Sequence, residues 1–385
     1  MLKVLFVSSP RFYNLIRAEC LRRIGCKVEF LDSDPALTWG GRPGTWIQLR
    51  LDFGPGIWNL NREVIRRCAA FQPEILWIDK GILIESRTVD RVHDLCGATV
   101  VHINPDDPFG PGGRNEMGRK HWRRFLQAVP FYDLHLCHRW AEMQDLREAG
   151  ASNVFKTLFT FYPQVHRPVE LAAKRWEEFQ CDVVFVGRNE PHREAILRSL
   201  IKAGVRVRIW GGWEWPQLAD DPRMRPSIMG RGVWGEEYAF AVSGAKLVLN
   251  PLTRLNRDEH SMRSFEAPAF NRAMVTDRTP EHQQLFREDQ AAVFYSEAEE
   301  CVEKTRALLQ DEGSRQSIAG QGLTQVRTGE HSAMHRAAQQ LAAALLVRRG
   351  QKVFGELSPG SIRDALASQG LAYPGPEVAY PEYWQ

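Results

Sequence analysis

Short apolar runs bounded by turn residues recur along the chain: LKVLFV at 2–7, CKVEFL at 26–31, EILWI at 74–78, TVVHI at 99–103, DLHLC at 133–137 and VFKTL at 154–158. Each has the length of a strand, and most are apolar nearly throughout, the pattern of strands buried on both faces of a parallel sheet. Between them the period changes. After the turn Ser8-Ser9-Pro10, residues Leu15, Ile16, Cys20, Leu21 and Ile24 recur at three- and four-residue spacing and stop at Gly25, which predicts a helix closed by glycine. Further helices are expected over 61–70, 87–95 and 140–149. The same order restarts at 182–186 (DVVFV), with Ile196, Leu197 and Leu200 on the next helix and a strand over 205–210. Strands at 247–249, 273–276 and 292–295 follow, with helices at 298–309, 315–326 and 333–347. The restart predicts two α/β domains in tandem, residues 1–165 and 166–345, joined through Thr160–Pro168. The tail 346–385, with Pro359, Pro374, Pro376 and Pro381, is poorly patterned and is expected to pack back on the first domain.

Composition narrows the class. A chain of 385 residues exceeds one ordinary core, and 43% hydrophobic with 25% charged residues is a globular balance. No apolar run reaches the roughly 18–20 residues that span a bilayer. The opening MLKVLFVSSP reads as a first strand and not a leader, because a helical pattern follows it directly. Seven scattered cysteines without a C-x-x-C point to reduced thiols and a cytoplasmic location, not to disulfides or zinc. A net charge of +3 does not call for nucleic acid. The first strand lacks a following G-x-G-x-x-G, which argues against a dinucleotide site of the dehydrogenase kind.

The chemistry gathers where strands end, which is where open α/β sheets bind ligands. The strand at 99–103 runs into Asn104-Pro105-Asp106-Asp107, whose carboxylates can accept from an acceptor hydroxyl or supply a base. The plain alternative is an Asp-Pro turn. The strand at 182–186 runs into Gly187-Arg188-Asn189, with Arg193 on the helix. Glycine lets a phosphate approach the backbone and the arginines neutralise it; otherwise this is a tight turn with solvated arginines. After 247–249 comes a polar loop with Asn250, Asn256, Arg257, Asp258, Glu259 and His260, then a helix opening near Ser261 that carries Arg263 and Glu266. A helix N-terminus with an arginine attracts an anion, and a carboxylate one turn in can accept from sugar hydroxyls. An ordinary βαβ unit with a solvated loop is the competing reading. Residues 33–60, rich in Gly, Pro and Trp (Trp39, Trp46, Trp58), are expected to form a long loop whose aromatics rim a cleft or simply pack. The basic run 119–124 (RKHWRR) is expected to be a solvated face, or to meet an acidic acceptor or a membrane surface.

Taken in order, FQPEILWIDKG, HINPDDP, YDLHLCHR, LREAGASNVFKTL, VFVGRNEPHREAILRSL, RSFEAP at 263–268, VTD at 275–277 and the late Glu330-His331 with Arg336 resemble the glycosyltransferases typified by the CgeB-like spore-maturation proteins. Those are relatives of the GT-B nucleotide-sugar transferases of family 4. The resemblance covers most of residues 1–345. It implies an α/β fold of GT-B type, two Rossmann-like parallel-sheet domains facing across a cleft, the N-terminal one for the acceptor and the C-terminal one for the donor. It further implies a hexosyltransferase-type enzyme that takes a nucleotide-diphosphate sugar, a UDP-sugar favoured, and requires no cofactor or metal; retaining transfer is the favoured stereochemistry. Carried over by position, Glu266 matches the second acid of an E-x7-E motif that meets the donor ribose. The first position falls on Asp258, so the motif here is D-x7-E. Gly187, Arg188 and Arg193 match positions near the donor phosphates, with Arg193 where relatives have lysine. Asn256, His260, Ser261 and Arg263 are expected around the pyrophosphate or sugar, and Asp106, Asp107 and His260 are the candidate catalytic groups. The acceptor is a glycan, a protein or a small molecule. A sugar-nucleotide epimerase of the same shape and a catalytically silent binding protein are the competing readings.

Overall fold

In the computed structural model, which describes residues 1–51, 53–212, 215–218 and 220–375, the alternating pattern forms two wholly parallel sheets. The strands are β1 (Lys3–Ser8), β2 (Lys27–Asp32), β3 (Ile75–Asp79), β4 (Thr99–Ile103), β5 (Leu134–Cys137), β6 (Val154–Lys156), β7 (Cys181–Val186), β8 (Val207–Trp210), β9 (Ala245–Asn250), β10 (Ala273–Asp277), β11 (Val293–Tyr295) and β12 (Phe354–Gly355). The first sheet runs β12-β6-β5-β4-β3-β1-β2 and the second β11-β10-β9-β7-β8. All residues of β4 and β5 are buried, as a sheet covered by helices on both faces requires. Leu5, Leu76, Ile78 and Val100 share one core with Val64, Cys68, Val89 and Phe125 from the covering helices. Val183, Phe185, Leu247 and Val275 share a second core with Leu197, Leu200 and Cys301. The first helix ends as expected at Gly25, whose φ of 116° is open to glycine.

The chain divides into two compact units. One holds Met1–Leu158, Arg254–Arg257 and the described residues from Ala333 on; the other holds Phe159–Thr253 and Asp258–Ser332. The first limit lies at 158/159 where 165/166 is expected, and the second lies before the expected 345/346 because of one helix. Ala333–Arg348 is buried almost all round, and its many alanines let it pack closely on the helices Phe12–Ile24 and Pro359–Ala367 and against β4 and β5. Periodicity identifies such a helix but not the sheet it covers. The tail also supplies β12, paired with β6, and the helix Pro359–Ala367. Pro359 sits in its first turn, where the missing N–H costs nothing, and Ser358 caps it by accepting from the Ser361 N–H. Pro376 and Pro381 lie outside the described residues.

The expected loop over 33–60 is instead largely helical: Asp34–Leu37, Gly41–Leu51 and Pro55–Phe71. Pro55 opens its helix, and Ile57, Leu60, Val64 and Cys68 bury one stripe of it, so helical packing outweighs the glycine and proline content. Trp39 and Trp58 are both exposed, while the side chain of Trp46 lies outside the described residues. The basic run lies on the helix Glu116–Ala128, with Lys120, His121 and Arg123 exposed but Trp122 and Arg124 buried; the Arg119 side chain is outside the described residues. All seven cysteines are free thiols. Among the described residues no helix is long and apolar enough to cross a membrane.

Candidate functional site

In the second unit, the ends of β7, β9 and β10 lie around the helix that carries Ser261, Arg263 and Glu266. The helix Met262–Ala269 starts at Ser261, which closes a capping box. Its side chain accepts from the Ser264 N–H, and Ser264 Oγ accepts from the Ser261 N–H at 3.0 Å. Behind this helix start lies a continuous relay. His282 Nδ1–H donates to the Asp277 carbonyl at 2.8 Å, so its Nε2 accepts from Ser264 Oγ, also at 2.8 Å. Asn250 Nδ2 donates to Ser264 Oγ (3.2 Å) and Thr276 Oγ1 (3.1 Å), and Asn250 Oδ1 accepts from Ser261 Oγ (3.1 Å). Burial holds His282 neutral, its pKa pushed down to about 4. The strand ends thus fix the helix start before any ligand arrives.

Arg263 and Glu266 form the charged centre. Arg263 Nη2 donates to the Val186 carbonyl at the end of β7 (3.0 Å), and Nη1 donates to Glu266 and to the Tyr238 hydroxyl. Glu266 is 2% exposed and takes a further bond from Tyr238 at 2.9 Å. Its second oxygen lies 3.4 Å from Nε2 of the fully buried His166. The Tyr162 N–H donates to His166 Nδ1 (3.0 Å), so the proton sits on Nε2 and points toward Glu266. Desolvation pushes the His166 pKa down to about 4. Glu266 therefore holds Arg263, whose side chain is 21% exposed, against the end of β7.

The other expected residues of this unit take distinct places. A side chain at Gly187 would strike the Phe185 ring at 2.8 Å, and the Gly187 carbonyl accepts from Trp215 Nε1 at 2.7 Å. Arg188 is exposed. Arg193 is mostly buried, donating to the carbonyls of Pro251 (3.1 Å) and Arg188 (3.3 Å) and pairing with Glu190 at 3.0 Å. Burial pulls its guanidinium below the ordinary value, with Glu190, Asp277 and the half-buried Asp258 acting against that. His260 is 1% exposed. Its Nε2 accepts from the Phe159 N–H at 3.2 Å, and its Nδ1 donates to Glu281, so both nitrogens hold neighbouring segments in place.

In the first unit, the ends of β3 and β4 carry a second polar group. Asp107 is 1% exposed and accepts from Arg257 Nε (2.7 Å) and Nη2 (3.0 Å) and from the Phe109 N–H (3.0 Å). Burial pushes its carboxyl up, but the Arg257 hydrogen bond and the charges of Arg139 and Arg257 outweigh this and leave its pKa below the ordinary value. Asn256, expected near the donor, belongs to this unit and accepts from the Asp107 N–H at 3.2 Å. Asp106 is half-exposed and pairs with Lys80 Nζ at 2.8 Å. Lys80 is left-handed, with φ of 64°, and Gly81 follows at 61°. A lysine in that region costs about 1–2 kcal/mol, and such strain gathers at functional sites. Sequence reading missed Lys80, Tyr238 and His166; the Asp-Lys-Gly step after β3 was the visible signal for the first.

No curated protein matches the chain. Among the solved structures that share the fold are three at low identity. HepE (Alr3699) of Anabaena in complex with UDP and glucose is 12% identical, with a TM-score of 0.62, covering 90% of this chain and 99% of its own. Sucrose-phosphate synthase from Thermosynechococcus elongatus is 11% identical, with 0.62, 88% and 97%. A putative UDP-N-acetylglucosamine 2-epimerase from Listeria monocytogenes is 8% identical, with 0.56, 93% and 99%. The two parallel sheets are those of the GT-B fold. Residues 188–342, which include Arg193, Asp258, Arg263 and Glu266, match the glycosyl transferase-like family model.

Proposed function

We propose that the chain is a nucleotide-sugar-dependent glycosyltransferase of the CgeB-like kind, a hexosyltransferase that takes a UDP-sugar and transfers it with retention and without a metal. The observation that carries the reading is Arg263, partly exposed and braced by Glu266 and Tyr238 at the end of β7, inside the stretch that matches the glycosyl transferase-like model. HepE, of the same fold, binds UDP and glucose. In this reading Arg263, Arg193 and the start of the helix Met262–Ala269 meet the charge that develops on the departing diphosphate. Gly187 lets the phosphates approach the backbone, and Arg188, Asp258 and Ser261 complete the donor surface. Retention fits the state of Asp107, whose carboxylate is committed to Arg257, because front-face attack needs no dedicated base. Asp106 with Lys80 is then the acceptor-facing pair.

Calorimetric titration with UDP, GDP, ADP and TDP tests the donor, and nuclear magnetic resonance of a UDP-sugar with the protein tests the reaction. The expected result is binding of UDP and its slow release from the sugar. A protein that binds none of the four nucleotides refutes the reading in favour of a silent binding protein. Conversion of the UDP-sugar to an epimer, without an acceptor, refutes it in favour of an epimerase.

A further inference from the structure

Thirteen large hydrophobic side chains stand exposed among the described residues, and five of them fall within one stretch of twenty: Trp39, Ile47, Leu51, Phe53 and Trp58. They lie on the helix Gly41–Leu51 and around the start of Pro55–Phe71, in the first unit. Ile47 and Leu51 are one helical turn apart and so share a face. Phe53 and Trp58 meet edge to face at 4.5 Å. Leu51 is 64% and Phe53 56% exposed, which is unusual for residues whose burial is worth so much, and clustered apolar exposure marks an interaction surface.

Beside this patch, positive charge is concentrated on residues 111–124, while Asp34 and Glu63 flank the patch segment itself. Residues 35–62 contain three arginines against one aspartate, and residues 111–124 five basic side chains against one glutamate. The helix Glu116–Ala128 packs beside Gly41–Leu51 and exposes Lys120 and Arg123; Arg50 and Arg62 are exposed as well. These two short segments carry more positive charge than the net +3 of the whole chain, so the rest of the protein is net acidic.

We propose that this face docks on an anionic lipid surface, with Leu51, Phe53, Ile47 and the two tryptophans entering the headgroup boundary and the flanking basic residues meeting lipid phosphates. Aromatic and aliphatic side chains beside lysine and arginine are the composition of an interfacial helix. The most exposed members favour lipid over a glycan, because Leu51 and Ile47 offer nothing to a hydroxyl-rich ligand, whereas acyl chains accept them. The positive charge on residues 111–124 favours lipid over a second copy of the same cationic face, which would repel itself.

Co-sedimentation of the full-length protein with vesicles tests this. Binding is expected to vesicles of phosphatidylcholine with phosphatidylglycerol, weakened by high salt, and much less to phosphatidylcholine alone. The double variant Leu51→Glu/Phe53→Glu is expected to lose binding by on the order of tenfold or more. Lys120→Gln/Arg123→Gln is expected to lose about fivefold per removed charge, on anionic vesicles only. Circular dichroism checks that the variants fold, and Ile47→Ser probes the same face if the double variant does not. Absence of binding to anionic vesicles, or binding unchanged in folded variants of both kinds, overturns the proposal. So does a dimer in light scattering that Leu51→Glu/Phe53→Glu abolishes while vesicle binding is unaffected. Retention on a glycan matrix that the same variant abolishes, in a protein that ignores vesicles, also overturns it.

Discussion

Replacing Glu266 separates two roles that a carboxylate at this position can have. If it meets the donor ribose, its loss and the loss of Arg263 weaken donor binding independently. If it acts by bracing Arg263, as its geometry suggests, the two losses are one. Breaking a buried ion pair costs about 3–5 kcal/mol. Arg263 is 21% exposed and keeps the Val186 carbonyl, so Glu266→Ala is expected at the lower end, about 3 kcal/mol of stability. Glu266→Gln keeps the volume, yet its amide must face Arg263 and Tyr238 on one side or the His166 Nε2–H on the other. Either way a donor meets a donor, which costs about 1–3 kcal/mol. For binding, a hydrogen bond from Arg263 to a phosphate is worth roughly 1.5–3 kcal/mol, a loss of about 10- to 150-fold in UDP affinity. The assays are urea denaturation and calorimetric UDP titration of Glu266→Ala, Arg263→Ala and the pair. The bracing role requires the double variant to bind UDP no worse than Arg263→Ala alone. Additive losses in affinity, or a Glu266→Ala protein as stable as the parent, would refute it.

Three further outcomes follow from the same structure. Asp107→Ala should lose about 2–3 kcal/mol at neutral pH, less than a fully buried pair because Arg257 is 30% exposed and keeps Asp145 at 2.6 Å. Since the folded pKa of Asp107 is lowered, that contribution is complete above the ordinary carboxylate value near ~4 and should fade in urea melts as pH falls below it, whereas Asp106→Asn should leave stability within about 1 kcal/mol and lower only transfer. His135, His166 and His282 are all depressed to about 4 by burial, so the unfolded chain takes up their protons first; stability should fall as pH drops from about 6.5 toward 4, and His166→Gln should flatten that slope. A thiol reagent at pH 8 should modify at most Cys96 in the folded protein, because burial pushes Cys20, Cys26, Cys68, Cys181 and Cys301 up to about 12 and raises the buried Cys137 as well; rapid labelling of several thiols without denaturant would contradict this.

Strand positions were legible because a parallel strand buried on both faces must be apolar along its length, and the restart at residue 182 gave the second sheet for the same reason. Residues 33–60 misled because glycine and proline signal turns, although proline at the first turn of a helix is well tolerated. Ala333–Arg348 was legible as a helix, but its partners, the helices Phe12–Ile24 and Pro359–Ala367, are named only by the tertiary fold.

The site follows the same division. Sequence pattern puts Asp106, Asp107 and Arg188 just past strand ends, as the structure has them, but which charged group is committed depends on partners far along the chain. Asp107 is joined to Arg257, 150 residues away, and Glu266 lies beside His166, a hundred residues before it. Neighbouring aspartates therefore reach opposite states. Asp107 has its charge held by arginine in a buried setting, while Asp106 stands half in solvent beside a strained lysine. A surface pair of that kind contributes at most about 1 kcal/mol to the fold, less than a left-handed lysine can cost. The Lys80 N–H donates to the Ile103 carbonyl at 2.8 Å and the Gly81 N–H to the Asp79 carbonyl at 2.9 Å, so backbone hydrogen bonds at the ends of β3 and β4, not the ion pair, hold Lys80 in that conformation.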